Sequence, residues 1–220
     1  KTSQLIASHI DLILDQKERA QIAFSGGSTP SETYRLLSEE HLPWDRVDLF
    51  LGDERWVPHE DEASNAGMIK RTLLSSGPGK SCKFHPTPTV ECLNPNESAS
   101  IFSNVLEKVC IGKPPILDLI LLGLGEDGHT ASLFPNSDCL TIADSWTCIA
   151  NANGNDRISL TFPVINSAKK IIFLVSGASK SRALQRLIDP KEPLDRTPAK
   201  MVQSKSEIMI MADASSLIYD

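Results

Sequence analysis

Two hydrophobic patterns alternate along this chain. In one, apolar residues recur every three or four positions. Leu5, Ile6, Ile10, Ile13 and Leu14 follow it and predict an N-terminal helix. In the other, short runs are almost wholly apolar, and they predict strands at 21–24, 47–51 and 119–122. Further strands are expected at 146–150, 157–160, 170–175 and 207–211. Helices are expected from Pro30 to Leu37 and at 65–74, 97–109, 163–167 and 179–188, with a short one at the C-terminal end. Residues 75–96, rich in Pro, Ser and Cys, read as a long loop with one short strand at 83–85. Strands that alternate with helices imply an α/β protein with a mainly parallel sheet covered on both faces. No repeat or linker divides the chain, so one domain over 1–220 is expected.

Composition narrows the functional classes. Of 220 residues, 40% are hydrophobic and 23% charged, ordinary values for a globular protein. The net charge of −6 disfavours nucleic acid as a partner. An anionic substrate would therefore need a locally basic pocket. The longest apolar runs are too short to span a bilayer. Five irregularly spaced cysteines form no Cys-x-x-Cys pair and no zinc pattern. They imply a reducing, cytoplasmic setting and no disulfide framework.

The segment from Leu119 to Pro135 carries the densest chemistry. An apolar strand runs into Gly123-Leu124-Gly125-Glu126-Asp127-Gly128-His129-Thr130, and a short helix is expected after it. Open parallel sheets bind ligands at the carboxyl ends of their strands. His129 there is a candidate general base, with Asp127 as its orienting partner or a substrate ligand. The same residues also suit a capped turn with a structural histidine.

Ser25-Gly26-Gly27-Ser28-Thr29-Pro30 follows the first strand and opens a helix. Thr29 is expected as the N-cap, Pro30 as the first helical residue and Glu32 as the partner of a capping box. Gly26, Gly27, Ser28 and Thr29 would present N–H and hydroxyl donors to a phosphate at the helix N-terminus. A plain capped turn is the alternative. Arg157 and Lys180 both begin elements beside small-polar loops and could grip the same anion. Asp53 and Arg55, in Gly52-Asp53-Glu54-Arg55-Trp56-Val57-Pro58, end the second strand. Arg55 suits a bidentate phosphate contact, Asp53 suits hydroxyl binding or orientation, and Glu54 reads as half of a local salt bridge. His59-Glu60-Asp61-Glu62 reads as a solvated turn.

In their order and spacing these motifs resemble the 6-phosphogluconolactonase family, from about Ile22 to Met201. The matching segments include Ser64-Asn65, Arg157-Ile158-Ser159-Leu160-Thr161 and Ser176-Gly177-Ala178-Ser179-Lys180. The resemblance implies a single Rossmann-like sandwich, shared with glucosamine-6-phosphate deaminases. Those relatives carry a glutamate five residues after the histidine, where this chain has Phe134. The resemblance thus implies hydrolysis of a phosphorylated sugar lactone in the oxidative pentose phosphate pathway, without metal or other cofactor.

On that reading His129 and Asp127 are catalytic. Gly26, Gly27, Ser28, Thr29, Asp53, Arg55, Arg157 and Lys180 bind substrate. Proximity to a helix N-terminus would favour a neutral His129. The expected partner is a small phosphosugar lactone, with no nucleic acid or membrane, and the protein would be a monomer or small homo-oligomer. An isomerase or deaminase is the second enzyme reading. A non-catalytic phosphosugar sensor is the third, although no basic recognition helix precedes the first strand.

Overall fold

In the computed structural model, which describes residues 1–152, 154–204 and 206–217, six parallel strands form the central sheet. They are β1 (Ala20–Phe24), β2 (Val47–Leu51), β4 (Lys83–Phe84), β5 (Leu119–Leu122), β8 (Ile171–Val175) and β9 (Ile208–Ala212). Their order is β4-β2-β1-β5-β8-β9. The chain first moves outward from β1 to β2 and β4. It then returns to the other side of β1 and continues through β5, β8 and β9. The direction reverses between β1 and β5, the place where open α/β sheets form a ligand crevice.

Every residue of β1, β2 and β5 is buried. Alternate side chains feed two cores. Ile22, Phe24, Leu49, Leu51, Leu119 and Leu121 pack with helices α1 (Thr2–Gln16), α2 (Ser28–Leu37) and α3 (Asn65–Thr72). Ala23, Phe50, Ile120, Leu122 and Phe173 face the other way. They pack with α4 (Pro95–Val109), α5 (Phe162–Ser167) and α6 (Ser181–Ile188). Strands covered on both faces need no polar alternation, which is why they read as unbroken apolar runs.

A second sheet departs from the sequence expectation. β3 (Asp53–Arg55), β6 (Thr147–Ala152) and β7 (Asn155–Leu160) form a three-stranded antiparallel sheet in the order β3-β7-β6. The link between β6 and β7 is too short for a parallel crossover, so the two must form a hairpin. Ile158 and Leu160 of this sheet join the second core.

Two local expectations are also corrected. No helix starts directly at the His129 loop, and the next helical residues are a short 3-10 helix at Asp138–Thr141. Residues 130–135 form turns, with Ala131 at a positive φ of 49°. Helix α2 begins two residues earlier than expected, at Ser28. Its N-cap is Gly27 rather than Thr29, and no side chain caps it. Glu32 makes no capping box, because its carboxylate pairs with Arg35 at 2.6 Å, one helical turn on. All five cysteines carry free thiols. Among the described residues, no helix is long and apolar enough to cross a membrane.

Candidate active site

A cavity of about 270 Å³ opens at the carboxyl ends of β1, β5 and β8. The loops after these strands supply Ser25–Pro30, Gly123–Gly125 and Ser176. The small sheet adds Asp53, Arg55 and Arg157. His129 and Lys180 complete the wall. Three cations thus face one carboxylate in a protein of net charge −6. This is the locally basic pocket that an anionic ligand requires.

The cradle after β1 follows from chain geometry. Gly26 packs against Asn65, and a Cβ there would fall 1.8 Å from the Asn65 Oδ1. Gly27, Ser28 and Thr29 are exposed at the cavity. Because no side chain caps α2, the N–H groups of its first turn are available to an anion. The tyrosine hydroxyl of Tyr34 ties the loop down through the Ser25 carbonyl at 2.9 Å.

The antiparallel register of β3 and β7 places Asp53 opposite Ser159 and Arg55 opposite Arg157. Two cations directly opposite repel each other. The Arg157 guanidinium lies 3.9 Å from Asp53 and 5.6 Å above the Phe134 ring. Burial lowers the Arg157 pKa, Asp53 opposes that effect and Arg55 adds to it. Arg55 donates to the Ala63 carbonyl. The Nε atoms of both arginines are buried without a hydrogen-bond partner. Asp53 is fixed from two sides. The Ser132 hydroxyl donates to it at 2.5 Å, and Asn65 donates to its main-chain carbonyl at 2.8 Å.

Among the described residues Glu54 makes no salt bridge, contrary to the sequence expectation. Its carboxylate accepts the N–H groups of Arg55, Asn65 and Ala66 at 2.8, 2.8 and 2.7 Å, and the Ser64 hydroxyl at 3.1 Å. It sits at the N-terminus of α3, where an acid complements the helix dipole. Burial nevertheless raises its pKa overall, against those donors. Glu60, Asp61 and Glu62 are exposed as expected, but His59 is half-buried on the Thr87 carbonyl.

His129 lies where Gly125 leaves room for it. A Cβ on Gly125 would fall 2.1 Å from the histidine Nδ1. That Nδ1 is 2.6 Å from the Asp127 carboxylate, which also accepts the His129 main-chain N–H at 3.1 Å. Burial pushes the Asp127 carboxyl up, but the hydrogen bonds from His129 outweigh it and hold it below the usual range. An ionised carboxylate only accepts, so Nδ1 is the ring nitrogen that donates to Asp127, and Nε2 is the one free to face a ligand. Asp127 does not itself line the cavity, which favours the orienting role over substrate contact. The Phe134 ring packs on the imidazole with centroids 4.4 Å apart.

Lys180 caps α6 at its N-terminal end rather than lying in its first turn, and its ammonium is 3.9 Å from Glu126. All the residues expected at the site therefore converge, with Asp127 one layer behind. Asn65, Ser132 and Ser159 were not singled out from sequence. All three lie inside the matching motifs, which was the available signal. Among the described residues, no cluster of three or more His, Cys, Asp or Glu side chains has a metal-binding arrangement.

Fold and site together define an α/β protein with a basic cavity and a His–Asp pair at the switch point of its sheet. Residues 1–211 match the family model for glucosamine-6-phosphate isomerases/6-phosphogluconolactonase. A 6-phosphogluconolactonase of Synechocystis sp. is 36% identical over 94% of this chain and 88% of its own length. One from Nostoc sp. is 36% identical over 98% and 91%. The crystal structure of a 6-phosphogluconolactonase from Shewanella baltica superposes with a TM-score of 0.86 at 26% identity, covering 96% of this chain and 91% of that one. The chain belongs to the glucosamine-6-phosphate isomerase/6-phosphogluconolactonase family.

Proposed function

We propose that this chain hydrolyses 6-phospho-D-glucono-1,5-lactone to 6-phospho-D-gluconate, a step of the oxidative pentose phosphate pathway. The observation that carries this reading is the pairing of a three-cation cradle with His129–Asp127 in one cavity. Phe134 favours the lactonase over the deaminase of the same family. It places an apolar ring against His129, where deamination needs a carboxylate.

In this mechanism the phosphate sits on the first turn of α2, held by Ser28, Thr29, Arg55, Arg157 and Lys180. That remote grip positions the lactone carbonyl beside His129. The Nε2 of His129 takes a proton from a water molecule, and the hydroxide attacks C1. Asp127 holds the imidazole in the required tautomer and stabilises the imidazolium. Cations or loop N–H groups stabilise the tetrahedral oxyanion. Collapse breaks the bond between C1 and the ring oxygen, which recovers the proton from His129. No metal or organic cofactor takes part. The free thiols and the water-soluble substrate support work in the cytoplasm.

Two substrates distinguish the family's activities. Purified protein should accelerate opening of 6-phosphogluconolactone above the spontaneous rate. It should release no ammonia from glucosamine 6-phosphate. Ammonia release without lactone hydrolysis would reverse the assignment.

A further inference from the structure

The turn after His129 ends on the small sheet. Ala131, at a positive φ of 49°, lies on the cavity wall, and Ser132 follows it. A non-glycine residue in that region is uncommon and marks a turn under constraint. The turn delivers Ser132, which is wholly buried, to strands β3 and β7. Its N–H donates to the Ser159 hydroxyl at 3.1 Å, and that hydroxyl donates onward to the Leu160 carbonyl at 3.0 Å. The main chain of Ser132 is thereby fixed, and its own hydroxyl donates to Asp53 Oδ2 at 2.5 Å.

The same oxygen of Asp53 faces Arg157. The Arg157 Nη1 is 3.9 Å from Oδ2, outside hydrogen-bond range. Opposite charges attract more strongly away from water, so an unrestrained carboxylate would close that gap. Two contacts hold it back. Asn65 donates to the Asp53 main-chain carbonyl at 2.8 Å and lies 3.4 Å from Oδ1. Ser132 occupies Oδ2 itself, and a short O–H bond to an ionised oxygen is among the strong ones. Oδ2 is thus turned to the Ser132 hydroxyl, and Arg157 stays on the cavity wall, over the Phe134 ring, with its Nε unpartnered.

We propose that Ser132 is a positioning residue, which holds Asp53 off Arg157 and so keeps the guanidinium open to the substrate's phosphate. The proposal rests on the phosphate grip given to Arg157 above. Without the Ser132 hydroxyl, Oδ2 turns to Arg157 and the two form a direct ion pair. A phosphate must then break that pair in order to bind. The cost falls on binding, because proton transfer at His129 uses other atoms.

A double-mutant cycle tests this, read by calorimetric titration of 6-phosphogluconate and by kinetics on the lactone. Ser132→Ala should weaken 6-phosphogluconate binding and raise KM several-fold, with kcat within about twofold of wild type. KM for unphosphorylated gluconolactone should not change. In an Asp53→Asn background, whose amide cannot form the ion pair, Ser132→Ala should weaken binding no further. A merely structural role would add the same loss in both backgrounds, and that result would overturn the proposal. So would unchanged affinity in Ser132→Ala, or a fall in kcat as large as the rise in KM. If Ser132→Ala does not fold, Ser132→Cys keeps the volume with a weaker donor, and normal affinity there overturns the proposal equally. If wild type binds 6-phosphogluconate but hydrolyses no lactone, the hydrolase reading fails and the binding cycle alone decides Ser132. Wild type that binds no 6-phosphogluconate would overturn the proposal itself.

Discussion

Arg55 and Arg157 stand directly opposite one another in the antiparallel register of β3 and β7, both on the wall of one cavity. Like charges so placed destabilise a sheet unless something offsets the repulsion. Asp53, at 3.9 Å from Arg157, offsets part of it, and a bound phosphate would offset the rest. Charge-assisted contacts are worth about 1.5–3 kcal/mol each, so Arg157→Ala or Lys180→Ala should lower kcat/KM about 10–100-fold. The loss should be much smaller on an unphosphorylated lactone. Equal losses on both substrates would place these residues at the lactone or in folding.

Asp127 touches His129 but not the cavity, so its removal should separate chemistry from binding. An Asn side chain can turn its amide N–H toward Nδ1 and favour the wrong tautomer. Asp127→Asn should reduce kcat by about 10²-fold, within the range of general-base help. Its affinity for 6-phosphogluconate should stay within about twofold of wild type. A variant with normal kcat would remove Asp127 from the mechanism.

Glu54 gives a pH prediction with a definite sign. Its folded-state pKa is raised, chiefly by burial, so folding favours the protonated form. That contribution to stability is fully present below the unfolded value of about 4.3 and is lost as pH rises through the folded value. Glu54→Gln does not titrate. The Tm difference between wild type and Glu54→Gln should therefore shift toward the variant as pH rises from about 4 to 7. A difference that moves the other way would mean that the four donors around Glu54, and not its burial, dominate.

The central strands were legible because burial on both faces leaves only apolar residues in them. The small antiparallel sheet was not, since β3 has three residues and its pairing with β7 joins segments about a hundred positions apart. The site residues at strand ends were readable from glycine spacing and charge. Their supports were harder to see. Ser132 reaches Asp53 across 79 positions, and Glu54 looked like an ion-pairing residue until α3 was placed over it. The His129 loop carried helix-start residues, yet it turns back through Ala131 at positive φ, and no local pattern announced that.

The most direct measurement is the turnover of His129→Ala on 6-phosphogluconolactone, corrected for spontaneous opening, beside the thermal shift produced by 6-phosphogluconate. Ligand stabilisation depends on concentration relative to Kd, so the shift reports the phosphate grip independently of chemistry. The account predicts that kcat falls by about 10²-fold or more while the protective shift is retained. Near-wild-type turnover in a folded His129→Ala protein would contradict it.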